Sequence, residues 1–231
     1  MKRAYRTVEV ATETGGFAVA LDGKRLNTPK KRPLLLPTRG LAEAIAGEWA
    51  AQGDTIRPWT MPLTQIAATA LDEVADRRLE MVGEIAAYAH TDLLCYRAEG
   101  PPELARRQAE SWQPLLDWAT HRFDASLAVT HGVAPRPQPA QAVAALRAAV
   151  ERLSDLELAA LALAVAACGS VVLGLALIEG SLDAEAATRA SLLDELYQAE
   201  LWGEDEEAAS RRAAIGRDTV AAAELVRLLR E

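Results

Sequence analysis

Two stretches of the 231-residue chain set side chains close enough in sequence to suggest chemistry. "YAHTDLLCYR" holds His90, Asp92 and Cys95 within six residues. A thiol, an imidazole and a carboxylate are the parts of a nucleophilic site, provided the base reaches the thiol. On a helix, residues five apart diverge, so the local spacing does not favour a Cys–His pair. A free cysteine is also a common small buried hydrophobe. A small helical enzyme using His90, Asp92 and Cys95 stays open as an alternative function. "GGFAVALDGKR" looks like a phosphate loop, but six residues separate Gly16 from Gly23 and Arg25 stands where a hydroxyl should hold a metal ion. A hairpin turn is the expectation there.

Metal chemistry finds little support. His90, His121, His131, Cys95 and Cys168 show none of the paired spacings of a zinc site, and no metal or other cofactor is implied. The two cysteines lie far apart without a CxxC, which fits a reducing compartment. Net charge is −8, which speaks against a nucleic-acid partner. The charge is uneven. Residues 1–40 hold nine Lys and Arg against three Asp and Glu, a net of +6, so the remainder carries −14. Between Asp194 and Glu207 there are seven acids and no base. Such a run is either a solvated helix face or a docking surface for a basic partner. "MKRAYRTVEV" has no apolar segment behind its charges, so no signal peptide is visible.

The elements that must position these residues fall into two parts. The first forty residues read as short strands, with Asp22-Gly23 as a two-residue hairpin signal and "RPLLLP" closing a small antiparallel sheet. Thr38 is an N-cap candidate for a helix carrying Leu41, Ile45 and Trp49, with Gly53 as a stop. Leu63, Ile66, Ala67, Ala70, Leu71 and Val74 form a continuous helical stripe, and Leu79, Val82, Ile85 and Ala89 mark another. Leu104, Gln108, Trp112, Leu115 and Ala119 line a further helix that Pro114 should kink or restart. Val143, Leu146, Val150 and Leu153 begin the next, after a Pro-rich connector at 134–140. The fold class is α+β: a small β-rich N-terminal domain with one helix, residues 1–58, and a larger all-helical domain, residues 59–231.

Residues 158–178 are uncharged over twenty-one positions, long enough to span a bilayer as one helix. Gly169-Ser170 breaks the run, Ser170 can cap a new helix, and both flanks are acidic. The expectation is two buried helices and no membrane insertion. Further on, Leu192, Leu193, Leu196 and Leu201 are spaced for a core-facing helix that Trp202-Gly203 ends, and four consecutive acids follow. Acids at a helix start are stabilised by its dipole. An aromatic anchor beside a charged rim is also how an interaction site looks.

The segments "RPLLLPTRGLAEAIAGEWAAQGDTIRP", "MPLTQIAATALD", "HTDLLCYRAEGP", "SWQPLLDWATHRF" and "ELYQAELWGEDEEA" together resemble a known family. It comprises the mitochondrial and α-proteobacterial chaperones that assemble the soluble head of F-type ATP synthase. The likeness runs from about residue 5 to 215, with blocks in order. It implies a β-rich N-terminal and a helical C-terminal domain and no catalytic role. It also implies a chaperone that holds the unassembled α subunit of F-type ATP synthase and prevents its aggregation. The family pattern gives weight to an acid just after the Trp-Gly pair: Glu206 by position, with Asp205 and Trp202 beside it. Trp49 and Gly203 take structural roles in this reading. The chain has no targeting extension, so a monomeric bacterial cytoplasmic protein or a processed mitochondrial form is expected.

Overall fold

The structure is a computed structural model that describes residues 2–132 and 134–231. It divides into two compact units. The first comprises residues 1–78, 154–160 and 224–231, and the second residues 79–153 and 161–223.

In the first unit, β1 (Val8–Glu13) and β2 (Gly16–Leu21) pair antiparallel, and β3 (Lys24–Arg25) and β4 (Leu35–Leu36) both pair with the other edge of β2. Asp22 and Gly23 have φ of 48° and 75°. Positive φ at both central residues is the turn whose twist matches a hairpin. The glycine-rich stretch is therefore the expected hairpin and not a phosphate loop. Gly16 is needed for another reason, since a Cβ there would collide with the carbonyl oxygen of Leu36.

Helix α1 (Arg39–Ala50) packs on β1 and β2 through Leu41, Ala42 and Ile45, all buried. Thr38 caps it as expected: its Oγ1 accepts from Leu41 N at 3.3 Å and donates to Leu228 O at 2.7 Å. Trp49 is 9% exposed, its ring lies 5.8 Å from that of Tyr5, and the Tyr5 hydroxyl donates to its carbonyl at 2.7 Å. Helix α2 (Pro62–Thr69) starts on Pro62, and the Glu48 carboxylate accepts from Leu63 N and Thr64 N at 2.7 and 2.8 Å.

The stripe expected to run from Leu63 to Val74 is buried at Leu63, Ile66, Ala67, Ala70 and Val74, but its pitch is not uniform. A π turn over Ala70–Val74 interrupts it. The widened turn accompanies a buried Asp72, whose carboxylate accepts from Thr28 Oγ1 at 2.6 Å and Lys30 N at 3.0 Å. Polar latching of the 28–32 loop has overridden the α pitch.

Helix α3 (Ala75–Ala87) follows, with a non-helical Arg77 at φ −129°, ψ 28°. Leu79, expected in the apolar stripe, is 77% exposed. Val82, Ile85 and Ala89 are buried as expected.

The second unit carries a strand pair, β5 (Tyr96–Arg97) and β6 (Thr130–His131), and helix α4 (Pro102–Phe123). Helix α4 runs on through Pro114 and does not restart there. Pro114 is exposed, so the hydrogen bond it cannot make is lost on the solvent side, where the loss is least costly. The buried face is Leu104, Gln108, Trp112, Leu116 and Ala119, with Leu116 replacing the expected Leu115. Helix α5 (Ala140–Glu151) buries Leu146 and Val150.

Helices α6 (Asp155–Cys168) and α7 (Val171–Glu179) resolve the apolar run into the two helices expected. Gly169 has φ +66°, and Ser170 Oγ accepts from Leu173 N at 3.0 Å. Every residue of α7 from Val171 to Ile178 is buried, whereas α6 keeps Ala166 exposed. Their close approach requires Gly174, where a Cβ would lie 2.5 Å from Val165 Cγ2 and 2.9 Å from Leu161 Cδ1. No helix among the described residues is long and apolar enough to cross a membrane. Helices α8 (Ala184–Ser191), α9 (Leu193–Trp202) and α10 (Glu206–Leu229) complete the chain. The Trp112 indole, fully buried, donates to Ala190 O at 2.8 Å.

Candidate interaction site

The Cys–His–Asp constellation does not assemble. His90 is exposed, whereas Asp92 and Cys95 are buried. The short 3₁₀ turn over Leu93–Cys95 turns the thiol into the core, among Trp112, Leu116, Cys168 and Leu173. Burial, with the nearby Asp92 charge adding to it, pushes the Cys95 thiol up to about 12. Burial likewise pushes Cys168 to about 11. Neither supplies a thiolate at neutral pH.

Asp92 has a different task. Its carboxylate accepts from Leu94 N at 3.1 Å and from Val172 N at 3.2 Å, so it caps both its own turn and the start of α7. Burial raises its pKa to about 6 in spite of these bonds. What looked like a catalytic group in sequence is a buried tie between two chain segments.

The α9–α10 corner is the opposite kind of place. Helix α9 is held by Leu192 and Tyr197, both buried, with the Arg107 guanidinium 5.3 Å from the Tyr197 ring centroid and 2.7 Å from Glu200. Toward its end the helix leaves the core. Leu201 is 54% exposed, contrary to the core-facing position expected from its spacing, and Trp202 is 77% exposed. Gly203 ends the helix at φ +90°, a backbone region that side chains bearing a Cβ rarely adopt. All seven residues from Leu201 to Glu207 are exposed.

Within that corner the acids divide by task. Asp205 caps α10: its Oδ2 accepts from Ala208 N and its carbonyl from Ala209 N, both at 2.9 Å. Glu204 pairs with Arg212. Glu206 and Glu207 form no side-chain hydrogen bond or ion pair among the described residues. The corner thus presents two apolar side chains beside carboxylates, two of which the fold leaves unengaged. It can dock a basic, partly apolar protein surface.

Trp59 was not singled out by sequence reasoning. It is 72% exposed in a short 3₁₀ turn, Pro58–Thr60. The available signal was the pair of prolines, Pro58 and Pro62, which lift the segment out of helix pitch.

The comparisons with known proteins agree with one another. The model of the family described as "ATP12 chaperone protein" matches residues 2–120. "Protein atp12, mitochondrial" of Schizosaccharomyces pombe is 25% identical over 219 residues, covering 90% of this chain and 75% of that protein. The crystal structure of Atp12 from Paracoccus denitrificans superposes with a TM-score of 0.92 at 43% identity, covering 99% of this chain and 98% of that one. The Atu1473 protein of Agrobacterium tumefaciens superposes at 0.93 with 42% identity, covering 99% and 86%.

Proposed function

Because this chain belongs to the ATP12 chaperone family and is thus a chaperone of ATP synthase assembly, we propose that it binds the unassembled α subunit of the soluble head through the α9–α10 corner. In doing so it shields an aggregation-prone surface of that subunit until assembly covers it. One observation carries this reading: Leu201 to Glu207 form an uninterrupted exposed stretch in which an aromatic anchor stands near four carboxylates, two of them, Glu206 and Glu207, free of other duties. Trp202 supplies apolar contact area at low conformational cost, and Glu206 supplies the charge that meets a basic group and sets orientation. Asp205 contributes by starting α10 where it does, which holds Glu206 in the first turn. In this reading the chaperone acts as a monomer.

The test is light scattering of denatured α subunit diluted into buffer with and without the chaperone. Wild type is expected to suppress the scattering. Glu206→Gln keeps the shape and removes one charge. A charged pair that is desolvated on docking loses about 2–5 kcal/mol when one member is removed, so this variant is expected to lose most of its protection with an unchanged melting temperature. Equal protection by wild type and Glu206→Gln would remove Glu206 from the site.

A further inference from the structure

The first unit carries a second exposed tryptophan in the opposite electrostatic surroundings. Residues 2–6 run beside residues 50–55, joined by an antiparallel bridge between Lys2 and Thr55 and by Arg3 N donating to Asp54 O at 2.9 Å. Arg3 is spent on this joint: its guanidinium donates to the carbonyls of Gln52 and Ala50 and lies 4.5 Å from the Tyr5 ring centroid. Its neighbours are not so engaged. Lys2, Arg6 and Arg57 are exposed, and none of the three side chains forms a hydrogen bond or salt bridge among the described residues, although the Arg6 charge acts on Asp22, whose carboxylate accepts from Arg6 N at 2.9 Å. Lys2, Arg3 and Arg6 line an open hollow of about 740 Å³ with Tyr5, Gly53, Asp54 and Thr55. Arg57 and Trp59 follow directly along the chain, both exposed.

We infer that this edge is a second docking surface, which takes an acidic protein segment carrying an apolar side chain. The inference does not depend on the α9–α10 corner, whose residues belong to the other unit. Three observations select the occupant. Lys2, Arg3 and Arg6 in the hollow, with Arg57 next along the chain, outnumber Asp54 and the Asp22 carboxylate beside Arg6, so the local field favours carboxylates. Trp59 offers a rigid amphipathic face of the type that anchors protein contacts. The protein as a whole carries −8, which repels an extended polyanion such as nucleic acid or an anionic membrane while leaving a short acidic segment able to use the local patch. Because Arg3 already fixes the backbone of both segments, the free cations can exchange water for a partner without remodelling the joint.

The experiment uses the full chain with Trp202→Phe, so that Trp59 is the exposed tryptophan that reports. The probe is a synthetic peptide of alternating glutamate and leucine, compared with the same peptide carrying glutamine for glutamate, at low salt. The expected result is a saturable change in tryptophan emission with the acidic peptide, at least tenfold tighter than with the glutamine peptide. The triple variant Lys2→Gln, Arg6→Gln, Arg57→Gln is expected to weaken that binding about tenfold at an unchanged melting temperature, and Trp59→Ala to abolish the emission change. Equal affinity for the two peptides, or binding untouched by the triple variant, overturns the proposal. So does tighter binding of a single-stranded oligonucleotide or of phosphatidylglycerol vesicles than of the acidic peptide. Concentration-dependent self-association of the unliganded chain in sedimentation, abolished by the triple variant, would make the occupant a second copy and overturns it as well.

Discussion

Two helix-to-helix corners in this chain use the same local chemistry and end in opposite environments. Between α6 and α7, Gly169 turns the backbone at φ +66° and Ser170 caps the next helix. Between α9 and α10, Gly203 turns it at φ +90° and Asp205 caps the next helix. The first corner is followed by eight consecutive buried residues, and its capping serine is wholly buried. The second lies within seven consecutive exposed ones. A glycine in the left-handed region and a short polar cap make a corner without deciding what it is for. Use is decided by what surrounds it: Asp92 and apolar side chains at the first, solvent and unengaged carboxylates at the second.

The largest expected effect comes from exchanging the caps. Ser170→Asp places a second carboxylate in a dry site next to that of Asp92, so thermal or denaturant unfolding should show a loss of about 3–5 kcal/mol. Asp205→Ser, its mirror, exchanges one good cap for another in water and should stay within about 0.5 kcal/mol of wild type. Similar losses in both would end the contrast.

Protonation of Asp92 probes the sealed corner without altering its shape. Its pKa in the fold, about 6, lies above its ordinary value of 3.8 because burial disfavours the charge. The folded state therefore binds this proton more tightly than the unfolded chain. The stability contributed is fully present below about pH 4 and is lost as pH rises through about 6. Measured as wild type minus Asp92→Asn, unfolding free energy should fall by up to about 3 kcal/mol between pH 4 and pH 7. A flat difference would mean that the carboxylate is better solvated than its burial implies.

Glycine replacement separates the buried helix that follows the first corner from the open second corner. Gly174→Ala must push apart Val165 and Leu161, at a cost of about 1–3 kcal/mol. Gly203→Ala meets nothing within 4 Å, so only its backbone conformation, φ 90° and ψ 170°, opposes it, at about 1–3 kcal/mol. The side-chain environment would show in a third variant: Gly174→Val should cost clearly more than Gly174→Ala, while Gly203→Val should add little to Gly203→Ala beyond the stiffness of a branched residue.

The smallest effects on stability belong to Glu206→Gln and Glu207→Gln. Each removes one exposed charge from the first turn of α10, where the dipole contributes at most about 1 kcal/mol. Melting curves of both should nearly overlay wild type. If Glu206→Gln melts markedly lower than Glu207→Gln, then Glu206 serves the fold and the open corner has lost its free carboxylate.

Features that local chemistry settles could be read from the amino acids alone. The Asp22-Gly23 turn, the Thr38 cap and the split of residues 158–178 at Gly169-Ser170 each depend on a few adjacent residues and their permitted backbone angles. The α+β character was legible in the change from strand to helix periodicity, and the family in blocks of residues that keep order along the chain. Which apolar or polar group meets solvent depends on long-range packing. Leu79 and Leu201 share the spacing of buried neighbours yet stand exposed, because a periodic stripe says which side chains share a face and not where that face ends. Asp72 bends its helix into a π turn to reach a loop some forty residues earlier in the chain, and Asp92 ties its turn to a helix eighty residues away. Such partners are distant in sequence, so no local pattern announces them. His90, Asp92 and Cys95 looked like a site because they are neighbours along the chain, but packing buries Asp92 and Cys95 and leaves His90 in solvent.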